Sequence, residues 1–260
     1  MDKIHKAAEM LHQARHAIVF TGAGISVESG IPTFRGKDGL WARYDPKFIE
    51  LAFFKRNPRD SWIEIKKIFY DFMGTAKPNP AHIAIADLEK QGFIKNVITQ
   101  NIDNLHQEAG STNVLEFHGT TRRFECQTCL KKFRYPLISL DVLPPVCPVC
   151  GGLIKPDFIF FSEMIPEYVN DASFAQAELA DLILVVGTTG EVMPACYIPY
   201  EGKRNGSMII EINPEPSAFT NSITDIYLPG KAGTILPQLR DLLFATSADH
   251  QTVPGSVTIL

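Results

Sequence analysis

The junction at His16–Arg35 constrains the fold of this chain more than any other stretch. His16-Ala17-Ile18-Val19-Phe20 is a short, nearly continuous apolar run, which reads as a strand buried on both faces. It passes directly into Thr21-Gly22-Ala23-Gly24 and then into small and polar residues up to Gly30. A strand, a tight glycine turn and a helix start are expected, with backbone N–H groups facing outward where an anion can sit. A bare Gly-x-Gly also occurs at turns that hold no ligand, and Gly30 comes later than a dinucleotide fingerprint requires.

A doubly buried strand needs partners of its own kind. Strand-like runs recur at 96–99, 114–117, 157–161, 182–186 and 208–212, separated by helical or glycine-marked segments. Helices are expected over 2–15, from Pro80 (capped by Asn79) to about Gln91, and over 233–244. The fold class is therefore α/β: a Rossmann-like doubly wound parallel sheet, with a smaller zinc-ribbon and helical-module domain inserted. The large domain takes residues 1–35, 81–119 and 156–245, an aromatic-rich helical module 36–80, the ribbon 120–155, and a patternless tail 246–260.

The ribbon rests on cysteines. Cys126-x-x-Cys129 and Cys147-x-x-Cys150 are separated by 17 residues and followed by Gly151-Gly152. Paired knuckles of this spacing suit a tetrahedral four-thiolate zinc, with no position open for substrate, so the metal is expected to be structural. An iron–sulfur centre and a nucleic-acid finger are the alternatives. The second knuckle carries no basic face and the net charge is −4, which speaks against nucleic acid as a direct partner. No stretch reads as a signal peptide or a membrane span, so a cytoplasmic protein is expected.

Polar residues gather at the expected strand ends. Gln100-Asn101-Ile102-Asp103 follows one strand, Phe117-His118-Gly119 a second, Gly187-Thr188-Thr189 a third, and Asn213 a fourth. Ligands of open α/β sheets bind at such carboxyl ends. Each segment alone also reads as an Asx turn, a structural histidine or a loop. His118 before a glycine is the best-placed candidate for a general base.

Taken in order, these motifs, with Phe34-Arg35, Phe160–Glu163 and Gly230-Lys231-Ala232, resemble the sirtuins over about residues 15–240. The resemblance implies an NAD-dependent protein deacylase that consumes NAD as a co-substrate. The acyl oxygen of an acyl-lysine would attack the ribose carbon bearing nicotinamide, and His118 would act as base on a ribose hydroxyl. The products would be nicotinamide, free lysine and O-acyl-ADP-ribose. Asn101 and Asp103 would join His118 as catalytic residues, with Asp103 on the nicotinamide carboxamide. The dinucleotide would be held by Gly22, Ala23, Gly24, Ser26, Phe34, Arg35, Trp41, Gln100, Asn101, Ile102, Asp103, Gly187, Thr188, Thr189, Asn213 and Ala232, the last two flanking the adenosine. The partner would be an acyl-lysine protein or peptide, clamped as an added strand; oligomeric state is left open.

Two departures bear on substrate. Gly190 follows Thr189 and Ser162 replaces the glycine usual in the family, and the Gly190 change is expected to widen or loosen the clamp. Aligning from Trp62, Ile65 and Ile68 take the module positions where desuccinylating relatives carry Tyr and Arg, so a neutral acyl group is expected: acetyl, or a longer apolar chain if both isoleucines line an open channel. ADP-ribosyl transfer or NAD hydrolysis on the same site, and a non-catalytic zinc-ribbon nucleotide binder, are the competing functional readings.

Overall fold

The computed structural model describes residues 2–250, the last four by backbone only. Along the chain run α1 (Lys3–Gln13), β1 (Ala17–Thr21), α2 (Leu40–Arg43), α3 (Leu51–Arg56), α4 (Pro58–Ile65), α5 (Pro80–Lys90) and β2 (Ile94–Thr99). Next come α6 (Leu105–Ala109), β3 (Val114–Glu116), β4 (Gly119–Cys126), β5 (Lys132–Arg134), β6 (Ile154–Phe158) and α7 (Glu167–Leu179). The chain continues through β7 (Leu182–Val186), α8 (Tyr197–Arg204), β8 (Met208–Asn213), β9 (Ile226–Pro229) and α9 (Ala232–His250).

Six strands form one parallel sheet in the order β3-β2-β1-β7-β8-β9. This is the spatial order of doubly wound dinucleotide-binding sheets. β1 and β7 sit at its centre and are buried along their whole lengths, which is why their sequences are unbroken apolar runs. Apolar residues of α1, α5 and α9 pack on one face, those of α7 and α8 on the other. Asn79 caps α5 as expected, its side chain accepting from the Ala81 N–H at 2.9 Å, with Pro80 at the first helical position.

Three expectations are corrected. The strand foreseen at 157–161 is Ile154–Phe158, and it runs antiparallel to β4 in a second, three-stranded sheet ordered β5-β4-β6. Its apolar residues face the aromatic module, so burial was read correctly but the partner was not. β9 was not foreseen. The patternless tail expected from Thr246 begins inside α9, which continues to His250, while 251–260 lie outside the described residues.

The aromatic module and the cysteine segment share one hydrophobic core containing Phe54, Trp62, Phe69, Phe124 and Phe158. The Trp62 indole donates to the Ile154 carbonyl at 2.9 Å and ties the two together. Between α4 and residue 72 the helix widens into a π-helical turn, Lys66–Phe72. That turn carries an extra residue per helical repeat and so changes which side chains face inward.

Candidate active site

All six strands of the large sheet point the same way, so the residues after β1, β2, β3 and β7 arrive at one edge. Between that edge and the smaller sheet lies a cavity of about 890 Å³. Its walls bring together Gly22, Ala23, Gly24, Phe34, Arg35, Trp41, Gln100, Asn101, Ile102, His118, Gly187, Thr188 and Thr189. Of the residues expected at the site, Ser26, Asp103, Asn213 and Ala232 do not line it.

The glycine turn works differently from the expectation. Ala23–Ser29 is a 3-10 turn rather than an α-helix start. The Gly22 N–H donates to Val186 O at 3.0 Å and the Gly24 N–H to Gly187 O at 2.8 Å, so neither is free for an anion. Glycine is needed because the loops after β1 and β7 meet backbone to backbone. A Cβ on Gly24 would stand 2.7 Å from Gly187 Cα, and one on Gly187, at φ +63, would stand 2.3 Å from Ile25 N. Arg35, exposed at the cavity mouth, has no carboxylate partner among the described residues and is free to meet an anion.

His118 is the clearest reactive group. Its Nδ1 lies 3.0 Å from the Gln100 carbonyl, an acceptor, so Nδ1 carries the proton and Nε2 keeps its lone pair. Burial lowers its pKa below 6.5, only partly offset by that hydrogen bond, so the ring is neutral and basic at neutral pH. Gln100 also reaches Thr188 Oγ1 at 3.1 Å, joining the ends of β2 and β7.

Behind the cavity wall the remaining polar residues form a network. Ser26 Oγ donates to Asp103 Oδ2 at 2.7 Å and accepts from Asn101 Nδ2 at 3.2 Å. Asn101 Nδ2 also donates to Gly22 O at 3.2 Å, leaving its Oδ1 for the cavity. Asp103 receives the Leu105 N–H at 3.0 Å, and burial raises its pKa. Two histidines complete the network. His82 faces Ser26 Oγ at 3.5 Å, and His106 contacts Thr21 Oγ1 at 3.0 Å on the helix where it was expected. His82, in α5, gave no signal in the sequence beyond its capping position.

The module reaches the cavity through Trp41, Ile49 and Phe69, and neither Ile65 nor Ile68 lines it. Both isoleucines are fully packed in the shared core, and the π-helical turn places Phe69 on the cavity side. Gly190 also has a packing reason: it sits at φ +74, and a Cβ there would stand 2.7 Å from the Phe219 ring. Sequence reading also missed Thr33, Ile49, Phe158, Ile159, Met164, Ile165, Asn170 and Glu191–Pro194 in the lining. Apart from Phe158 at the end of β6 and Asn170 in α7, these lie outside the α-helices and strands, in segments whose approach to the site no periodicity reports.

The four cysteine sulfurs all lie within 4.8 Å of one another, with Cys126 Sγ 3.5 Å from Cys150 Sγ and Cys129 Sγ 3.8 Å from Cys147 Sγ. A tetrahedral zinc with Zn–S bonds of about 2.3 Å places its sulfurs about 3.8 Å apart, so this donor set fits that ion.

The model of the Sir2 family matches residues 22–194, which span the glycine turn, His118 and all four cysteines. The chain belongs to the Sir2 family. Its Sir2 relatives include the NAD-dependent protein deacylase of Pyrococcus furiosus, 50% identical over 90% of this chain and 95% of the relative. The NAD-dependent protein deacylase 2 of Archaeoglobus fulgidus is 45% identical over 92% and 95%. Among solved Sir2 structures, a homologue in complex with NAD superposes with a TM-score of 0.87 at 39% identity, covering 95% of each chain. A Sir2 complex with a p53 peptide and NAD+ gives 0.82 at 32% identity, covering 95% of this chain and all of that one. No helix among the described residues is long and apolar enough to cross a membrane.

Proposed function

We infer that this chain is an NAD-dependent protein lysine deacylase in which His118 is the general base. One observation carries the mechanism: a neutral imidazole, its Nδ1–H held by the Gln100 carbonyl, faces a large cavity with a free Nε2 lone pair. The deacylase relatives and the NAD and peptide complexes support the reaction class.

Bound NAD supplies an electrophilic ribose carbon and a nicotinamide leaving group. The chain's own residues do the rest. Arg35, Thr188 and Thr189 offer charge and hydroxyls to the phosphates and ribose. Phe34 and Trp41, with ring centroids 5.4 Å apart, keep water from the reacting carbon. Asn101 Oδ1 orients a ribose hydroxyl, and His118 Nε2 removes a hydroxyl proton. Asp103 acts from behind the wall by fixing Ser26, and through it Asn101. The four cysteines would hold zinc as a structural brace for the smaller sheet.

The peptide would enter between Phe160–Met164 and Thr189–Pro194 as an added strand. Phe161 is already tied to the module, its N–H donating to Ile49 O at 2.9 Å. Ile49, Phe69, Phe158 and Phe160 make the adjoining wall apolar, and Arg35 is the one arginine or lysine lining the cavity among the described residues. An acyl carboxylate against that wall would be desolvated and unpaired, so the substrate acyl group is neutral. A panel of acyl-lysine peptides with and without NAD, read by mass spectrometry, tests this. Acetyl and longer apolar chains should yield free lysine and O-acyl-ADP-ribose. Equal turnover of succinyl-lysine would refute the neutral preference, and adenine-side label on protein without lysine release would refute deacylation.

A further inference from the structure

Glu211, fully buried in β8, is a carboxylate that the proposed reaction does not use. It takes four side-chain hydrogen bonds, and among the described residues no ion pair joins it to a cation. Oε1 accepts from Asn213 Nδ2 at 2.9 Å and Ser217 Oγ at 2.5 Å, and Oε2 from Thr220 Oγ1 and Thr224 Oγ1, both at 2.8 Å. An ionised carboxylate has about four acceptor positions, so this one is saturated. Burying it among the isoleucines of an interior strand is expensive. Packing alone would be served as well by another aliphatic side chain.

The consequence falls on Asn213. Its amide nitrogen gives one hydrogen to Glu211 and the other to the Thr188 carbonyl at 3.0 Å. Both partners only accept, so the amide cannot turn over. Its NH2 is held inward, and no donor among the described residues reaches its Oδ1. Thr188 itself lines the cavity.

We propose that Glu211 is a positioning residue that locks Asn213 with its carbonyl oxygen outward, so that the adenosine end of NAD must present a hydrogen-bond donor there. This rests on the reading that Asn213 flanks the adenosine. Glu211 carries no part of the chemistry and acts only through Asn213.

The test compares ADP-ribose affinity by calorimetry with steady-state kinetics. E211Q and N213A should each weaken ADP-ribose about tenfold and raise KM for NAD alike, the size of one lost ligand hydrogen bond. kcat at saturating NAD and KM for peptide should stay within about twofold, and the double variant should bind no worse than N213A alone. L239A, in the core under α9, should lower Tm without moving KM for NAD. Should E211Q not fold, N213D serves instead: it keeps the outward oxygen but cannot donate to Glu211 or Thr188, and should bind as weakly as N213A. If N213A weakens binding while E211Q or N213D binds like wild type, the proposal is overturned. If N213A itself has no effect, the adenosine reading fails.

Discussion

Acid should destabilise this protein through a histidine that never touches substrate. His82 is fully buried at the third position of α5, where its Nδ1 accepts the Asn79 N–H at 3.3 Å. Burial pushes its pKa from 6.5 to about 4. The unfolded chain therefore takes up a proton near pH 6.5 and the native chain only near pH 4. In that window the unfolded state binds more protons, so stability falls as pH falls. Between pH 7 and 5 the loss from His82 alone is about 2 kcal/mol, rising to about 3 kcal/mol once both states are protonated. Glutamine at this position can keep the capping box with Asn79 while removing the titration. Urea unfolding of wild type and H82Q at both pH values should show a loss smaller in H82Q by about 2 kcal/mol. Equal losses in the two proteins would refute the assignment of a proton-excluding His82. His106, whose ring lies 5.0 Å away and whose pKa is also pushed well down by burial, should add to the same acid limb.

Other consequences can be checked separately. H118A should reduce kcat by about 10²–10⁴, the usual worth of a general base, while leaving ADP-ribose affinity within a few-fold. Because the His118 pKa is lowered, wild-type kcat/KM should hold from neutral pH to below 6.5, and an acid limb centred above 7 would contradict that. G187A forces a Cβ against Ile25 N in a left-handed backbone, so it should be insoluble or lose NAD binding. C129S should reduce bound zinc from about one ion per chain and broaden the unfolding transition as the smaller sheet loosens. W62F leaves the buried Ile154 carbonyl unpaired and should cost about 1–3 kcal/mol by denaturant titration.

The large sheet was legible because its central strands are buried on both faces, and continuous apolar runs such as Leu182–Val186 have few other readings. The cysteine knuckles were legible because ligand spacing is local. β6 was misassigned for the same reason that β7 was found: an apolar run reports burial, not which sheet supplies it. The site showed the same division. Gly22, Gly24 and Gly187 were picked out, but their reason, two loops meeting across the sheet centre, requires β1 and β7 to be neighbours. Ile65 and Ile68 were placed by aligning Trp62 with related chains, and an alignment does not show that a π-helical turn brings Phe69 to the cavity in their stead. The Ser26–Asp103–Asn101 network joins residues 75 or more positions apart, so only tertiary structure shows that Asp103 stands behind the wall.

In the proposed reaction one NAD is consumed for each lysine freed, with His118 drawing the proton. Purified protein, NAD and an acetyl-lysine peptide should release nicotinamide and free lysine in a ratio of about one, with O-acetyl-ADP-ribose in equal amount. Lysine release without NAD, or nicotinamide release that continues unchanged when the peptide is withheld, would contradict it.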